Sequence, residues 1–265
     1  MICNYELTAE NYHDRMANDL YWSVSQFKEF DRCEAMGLAS VRGLYRREET
    51  DALLIGSYVD AYFSGELGQF IEEHRDVMFS KRGCGLLAKF QRADDMIQAV
   101  TKQPLMMDYL AGEKQVIQTT ELFGVPWKIK MDVYRPGERI VDLKCVKDFG
   151  DLWDDSFGGR RSWVEFWGYD IQGAVYQRVV EAVTGKKLPF YLVAVTKEKI
   201  PDVAVIQIPQ HILDAAAGLV EAKIERFDLI KSGDVEPRRC EKCDYCKTTK
   251  VLFKPDVYEI EEAQT

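Results

Sequence analysis

Three short segments rich in Val, Ile, Thr, Phe and Trp follow one another, from Lys114 to Phe123, Val125 to Tyr134 and Arg139 to Val146. They are broken only by Gly124 and by Arg135-Pro136-Gly137-Glu138. Runs of β-branched and aromatic residues punctuated by turn residues read as strands, and breaks this short join antiparallel neighbours, so the stretch predicts a three-stranded meander. Asp132 falls near the end of the second segment, and Asp142-Leu143-Lys144 lies in the third. Side chains alternate along a strand, which puts Asp142 and Lys144 on one face and Leu143 on the other. Two carboxylates and an ammonium in an otherwise apolar sheet are costly to bury unless they bind something. A divalent metal ion suits them: hard cations prefer carboxylate oxygens, and Mg²⁺ takes one or two beside water and substrate phosphate. The lysine could then orient or deprotonate an attacking water and offset charge developing on phosphate.

The flanking sequence is helical on both sides. Ser25 is placed to cap a helix through Phe27 and Phe30 toward Leu38. Asp51 is placed to cap another through Leu54, Ile55, Tyr58, Val59 and Tyr62, and a third covers Leu86 to Val100 with Pro104 just beyond. After the meander comes a loop of mixed charge, Asp148 to Arg161, then a long amphipathic helix from Trp163 to Val183 that stops at Thr184-Gly185. Phe190 to Thr196 and Val203 to Ile208 read as strands. Pro209 starts a last helix whose apolar positions Ile212, Leu213, Leu219, Ile224, Phe227 and Ile230 carry it to Ser232-Gly233. This order predicts an α/β or α+β fold on a small mixed sheet. There is no internal repeat and no linker-like tract, so one domain is expected over 1–265: a mainly helical part at 1–112, a catalytic core at 113–232 and a cysteine-containing segment at 233–265.

At these residues the sequence resembles the PD-(D/E)xK nuclease superfamily, whose core is a helix, three strands, a helix and a strand (αβββαβ). Asp132 matches the first acidic motif, with Met131 where the family's proline stands, and Asp142-Leu143-Lys144 matches the second. Gln172-Gly173-Ala174-Val175-Tyr176 resembles the Q-x-x-x-Y motif of the RecB-like and RecE-like branches, and Gly56-Ser57-Tyr58-Val59-Asp60 resembles their G-x-x-x-H helix, with Asp60 at the histidine ligand's position. One helical turn separates Gln172 from Tyr176, so both face the same way. The resemblance implies a metal-dependent DNA exonuclease of phage or bacterial recombination and repair, with a recombination protein as a possible partner. Asp132, Asp142 and Asp60 would hold Mg²⁺ or Mn²⁺, Lys144 would act on water or phosphate, and Gln172 and Tyr176 would position the strand. Glu121, on the preceding strand, reads as an ordinary surface glutamate.

Cys240-Glu241-Lys242-Cys243-Asp244-Tyr245-Cys246 is a C-x2-C-x2-C run. Three thiolates this close suit an iron-sulfur cubane, whereas structural zinc more often uses C-x2-C pairs from two knuckles. In the branch that includes CRISPR-associated nucleases and helicase-nuclease subunits, one early cysteine joins three late ones around a 4Fe-4S cluster. By that likeness Cys33 is the fourth ligand, although the last gap is shorter here. Zinc is the alternative, and Cys3, Cys84 and Cys145 read as ordinary buried thiols.

The 35 Lys and Arg against 44 Asp and Glu give a net charge of -9. That excludes nucleic-acid binding by bulk charge but not through a local basic groove or bound cations. Arg160-Arg161, Lys186-Lys187, Arg238-Arg239, Lys242, Lys247, Lys250 and Lys254 are the local basic groups, and Trp153, Trp163 and Trp167 are available for base stacking. No apolar run approaches the ~20 residues of a membrane span. The start of the chain lacks a secretory signal, so a cytoplasmic, non-membrane protein with reduced cysteines is expected. Two other classes stay open: a catalytically silent DNA-binding or assembly module keeping an iron-sulfur or zinc site, and a zinc-stapled structural protein.

Overall fold

The strand-forming runs pair as their turn residues dictate, and the helices cover both faces of the resulting sheet. The structure is a computed structural model and describes residues 5–46, 48, 50–79, 85–155, 157–252 and 254–255. Its helical N-terminal region comprises α1 (Arg15–Leu20), α2 (Val24–Arg32), α3 (Glu34–Val41), α4 (Asp51–Ser64), α5 (Leu67–Glu73), α6 (Arg75–Met78), α7 (Ala88–Thr101) and α8 (Pro104–Tyr109). The meander is β1 (Glu113–Leu122), β2 (Val125–Arg135) and β3 (Arg139–Val146). Then come a small hairpin of β4 (Leu152–Asp154) and β5 (Gly159–Arg161), helices α9 (Trp163–Phe166) and α10 (Tyr169–Thr184), and strands β6 (Phe190–Thr196) and β7 (Val203–Gln207). The last elements are α11 (Gln210–Ser232) and α12 (Asp244–Thr248).

The sheet order is β1-β2-β3-β6-β7. All neighbours are antiparallel except β3 and β6, which run parallel with Ile140 opposite Phe190 and Lys144 opposite Ala194. A parallel pair needs a crossover, and α10 supplies it. Alternation divides the core in two. On one face Ile140, Phe190, Leu192 and Ala194 pack with Val175, Val179, Leu213, Val220 and Phe227 of α10 and α11. On the other, Val141, Leu143, Val193 and Val195 pack with Leu54, Ile55, Val59, Phe90 and Ile97 of α4 and α7. This is the α/β, PD-(D/E)xK-like architecture expected from the sequence, with β7 added beyond β6.

Several local expectations change. Ser23, not Ser25, caps α2 by accepting from Gln26 N–H at 3.3 Å, and Thr50, not Asp51, caps α4 by accepting from Leu53 N–H at 3.3 Å. In both, the hydroxyl that reaches a free N–H of the first turn belongs to the residue just outside the helix. The helix drawn through Phe30 toward Leu38 breaks at Cys33, whose backbone is extended. The long helix from Trp163 breaks at Gly168, φ 63°, a left-handed conformation that glycine adopts without strain. The loop from Asp148 to Arg161 contains the β4–β5 hairpin.

Gly173, inside the Q-x-x-x-Y stretch, is where α10 comes closest to the sheet. A Cβ there would sit 2.5 Å from Phe190 Cδ1 and 2.9 Å from Leu213 Cδ2. Overpacking of this kind costs about 1–3 kcal/mol, set against the ~1 kcal/mol of helix propensity that alanine gains over glycine. Gly173→Ala is therefore expected to lower the urea midpoint of unfolding, and an unchanged or higher midpoint would show that the helix can retreat without loss.

Candidate active site

The site begins where β2 and β3 part company. The two strands pair only from Val133↔Val141 to Arg135↔Arg139. Beyond that, the N–H of Leu143 donates to Asp132 Oδ2 at 2.9 Å, so a side chain takes the place of a ladder bond. On β1, pairing with β2 is interrupted between Lys114↔Val133 and Val116↔Met131, and Gln115 in the gap has φ 52°, a distortion of the neighbouring strand at the level of Asp132. The carboxyl of Asp132 is thereby fixed beside Asp142 at the floor of a pocket. Tyr12, His13, Ser23, Lys28, Lys130 and Lys144 are among the other residues that line it.

Asp142 is 2% exposed. Its Oδ1 accepts from Gln172 Nε2 at 2.7 Å, and its Oδ2 is ion-paired with Lys144 Nζ. That Oδ2 is buried, and the single contact with Lys144 leaves it a second lone pair for a cation. The Lys144 ammonium also lies 4.9 Å from the centre of the Tyr169 ring. Burial opposes its charge, but Asp142 and then Asp132 outweigh burial and hold its pKa above the ordinary value.

Too little positive charge faces these carboxyls. Burial, then Asp142 and Asp60, push Asp132 well above the usual aspartate range, and burial followed by Asp142 raises Asp60. A cation among them would relieve both the desolvation and the mutual repulsion, and all the donors are hard oxygens, so the residues fit Mg²⁺ or Mn²⁺. Asp60, on α4, is thus in the electrostatic field of the site. Among the described residues, however, the only group of three or more candidate ligand atoms converging within 4.8 Å is the four thiols of Cys33, Cys240, Cys243 and Cys246. Asp60, Asp132 and Asp142 do not converge as closely.

Gln172 and Tyr176 differ from one another. Gln172 faces Asp142, as expected for a residue directed to the site. The Tyr176 hydroxyl donates to the Lys130 carbonyl at 2.9 Å, tying α10 to β2, and its largely buried side chain is among those that line the pocket. The basic groups of the sequence reading lie elsewhere. Arg161 pairs with Asp154 at 3.2 Å, Arg160 donates to the Asp151 carbonyl, Lys187 pairs with Asp214 and Arg239 with Glu241. Trp163 is buried, whereas Trp153 and Trp167 are exposed; Glu121 is exposed. Cys3 and Cys84 lie outside the described residues, and Cys145 is half-buried, its thiol pushed up to about 12 by burial.

Besides Lys144, the positive lining of the pocket comes from lysines that the sequence reading did not single out. Lys28, on α2, donates to the Trp167 carbonyl at 2.9 Å, and burial followed by Lys144 lowers its pKa to about 8. Lys128 is buried and spent on the Tyr12 carbonyl at 2.5 Å and Asn18 Oδ1 at 2.8 Å, while Lys130 lies 5.7 Å from the centre of the Tyr12 ring. The Lys-x-Lys-x-Asp spacing of Lys128, Lys130 and Asp132 has the period of one strand face, which is the signal that could have found Lys130. Nothing local marks Lys28.

Comparison with known proteins agrees with this fold. A family model described as a PDDEXK-like domain of unknown function (DUF3799) matches residues 23–249. The crystal structure of a candidate exonuclease from Eubacterium rectale is similar over 95% of this chain and 96% of its own, with 43% identity and a TM-score of 0.89. No curated protein matches. Among the described residues no helix is long and apolar enough to cross a membrane.

The raised Asp132 gives a pH signature. Its folded-state pKa lies above the unfolded value of about 3.9, so its contribution to stability is greatest below that pH and is lost as pH rises through the folded value. Asp132→Asn, which can still accept from Leu143 N–H, should therefore raise the melting temperature at pH 7 without divalent ions. The gain should shrink toward pH ~3.5, and added Mg²⁺ should stabilise the wild type more than the variant. Thermal melts across pH, with and without Mg²⁺, test this; an equal gain at both pH values would remove the charge explanation.

Proposed function

Because the chain belongs to this PDDEXK-like family, we propose that it is a Mg²⁺- or Mn²⁺-dependent deoxyribonuclease that acts on DNA ends as an exonuclease. The observation that carries the reading is the buried Asp142, held between Lys144 and Gln172 and facing Asp132 in a lysine-lined pocket. The exonuclease mode is supported by the similarity to the Eubacterium rectale protein. Processing of DNA ends in phage or bacterial recombination, with a recombination protein as partner, is the setting that the family resemblance suggests.

Asp132 and Asp142 would hold the cation, with Asp60 assisting. When bound, the cation supplies Lewis-acid polarisation of the scissile phosphate and a lowered pKa for attacking water. The chain's own residues do the rest. Gln172 fixes one oxygen of Asp142, so the other keeps its direction toward the pocket. Tyr176, through the Lys130 carbonyl, holds β2 against α10 and so fixes the level at which Asp132 stands. Lys144, kept charged by its two carboxylate neighbours, orients water or donates to a phosphate oxygen as negative charge grows there. Lys28 and Lys130 bring positive charge to the mouth, where a phosphodiester backbone would run, and the exposed Trp167 beside Lys28 offers a stacking surface. Tyr12, Ser23 and Lys28 lie N-terminal to residue 113, so the catalytic unit takes in part of the N-terminal region as well as 113–232.

The test uses end-labelled linear DNA and covalently closed circular DNA with Mg²⁺ or Mn²⁺. Linear DNA should be digested and circular DNA spared, with chelator abolishing the activity. Asp142→Ala and Lys144→Ala should each reduce the rate by roughly 10²–10³-fold, the scale of losing one preorganised electrostatic group. Equal rates in wild type and both variants would reject the assignments. DNA binding with no cleavage under any metal would instead favour a silent binding module, a reading that the incomplete convergence of the three carboxylates keeps in view.

A further inference from the structure

The cysteine group stands apart from the carboxylate pocket and takes no part in the reaction above. Cys33 occupies the break between α2 and α3, while Cys240, Cys243 and Cys246 follow α11, with Cys243 capping α12. The four Sγ atoms all lie within 4.8 Å of one another; Cys33 and Cys246 are 3.6 Å apart and Cys240 and Cys246 3.9 Å. Four thiolates around one tetrahedral Zn²⁺, each at about 2.3 Å, stand about 3.8 Å apart. In a cubane each thiolate binds a different iron, itself displaced from the centre, so the sulfurs stand on the order of 6 Å apart. The 4Fe-4S cluster that the family resemblance implies therefore does not fit these side chains.

We infer that Cys33, Cys240, Cys243 and Cys246 bind a single tetrahedral, thiolate-coordinated Zn²⁺. Two further features suit it. The Cys243 N–H donates to Cys240 Sγ at 3.3 Å and the Cys246 N–H to Cys243 Sγ at 3.4 Å, so the backbone already points donors at sulfurs that must carry negative charge. Two of the ligands are shielded from solvent: Cys33 and Cys246 are 4% and 0% exposed, Cys240 and Cys243 are half-buried, and the Tyr45 and Tyr245 rings meet edge to face beside them. Four thiolates and one Zn²⁺ leave a net charge of about -2. Arg239 lies against this charge, its Nη2 donating to the Cys246 carbonyl at 2.6 Å.

The full-length protein, purified without oxygen, decides the matter by elemental analysis and acid-labile sulfide assay. One zinc per chain, no sulfide and a colourless solution are expected, with X-ray absorption at the zinc edge showing a sulfur-only shell near ~2.3 Å. Cys246→Ser should lose most of its zinc to a chelator under conditions where Cys145→Ser retains it. Iron in any stoichiometry, a brown protein absorbing near ~400 nm, or a metal-free wild type with four titratable thiols at the site would each overturn the assignment. None of these readouts depends on nuclease activity, so this inference and the proposed function stand or fall separately.

Discussion

Asp142 is almost wholly removed from solvent, and much of the architecture around it makes that burial tolerable. A buried carboxylate without partners costs several kcal/mol, and here the partners come from two different elements. Lys144 is two residues along the same strand, and Gln172 is on the crossover helix. For Gln172 to reach, α10 must lie close on the sheet, which requires Gly173 against Phe190. For Lys144 to share a face with Asp142, β3 must be a regular strand. Asp132 is held by an interruption: it captures the Leu143 N–H just where β2 and β3 stop pairing. Regular pairing would supply a backbone bond there and leave no opening for a ligand.

What the sequence revealed and what it hid follow from the range of the forces involved. Strand order in the meander, the shared face of Asp142 and Lys144, and the stop of α10 at Gly185 are set by alternation and local turn chemistry, which a sequence displays directly. The caps differ from the sequence reading by one or two residues because Ser23 and Ser25, or Thr50 and Asp51, are all favoured N-cap residues until the chain's path is known. Lys28 was invisible for a different reason. Its place in the pocket depends on how α2 packs beside α9 and α10, more than a hundred residues away, and nothing in its own neighbourhood encodes that distance. Tyr176 was legible as a residue sharing the face of Gln172 but not as one whose hydroxyl is spent on a backbone carbonyl.

The net charge of -9 takes on a different meaning once the pocket is seen. Part of the acidity is gathered at Asp60, Asp132 and Asp142, where burial and then repulsion between carboxyls lift the pKa of both Asp60 and Asp132. Lysines are brought to the same pocket, while Arg161, Arg178, Arg226 and Arg239 pair elsewhere with nearby acids. The molecule is therefore electrostatically uneven: a mostly acidic exterior surrounds one cleft in which charges of both signs are packed without full compensation. Such a surface discourages indiscriminate attachment to a polyanion and leaves binding to the cleft.

The position of Cys33 in the break between α2 and α3 has a consequence for how the molecule is made. Cys33 leaves the ribosome early, whereas its three companions emerge only after both halves of the sheet and α11 have been synthesised. Domains made from the N-terminus onward begin to organise before their last residues appear. The four-thiol site therefore cannot assemble until residue 246 has been synthesised, after both halves of the sheet and α11.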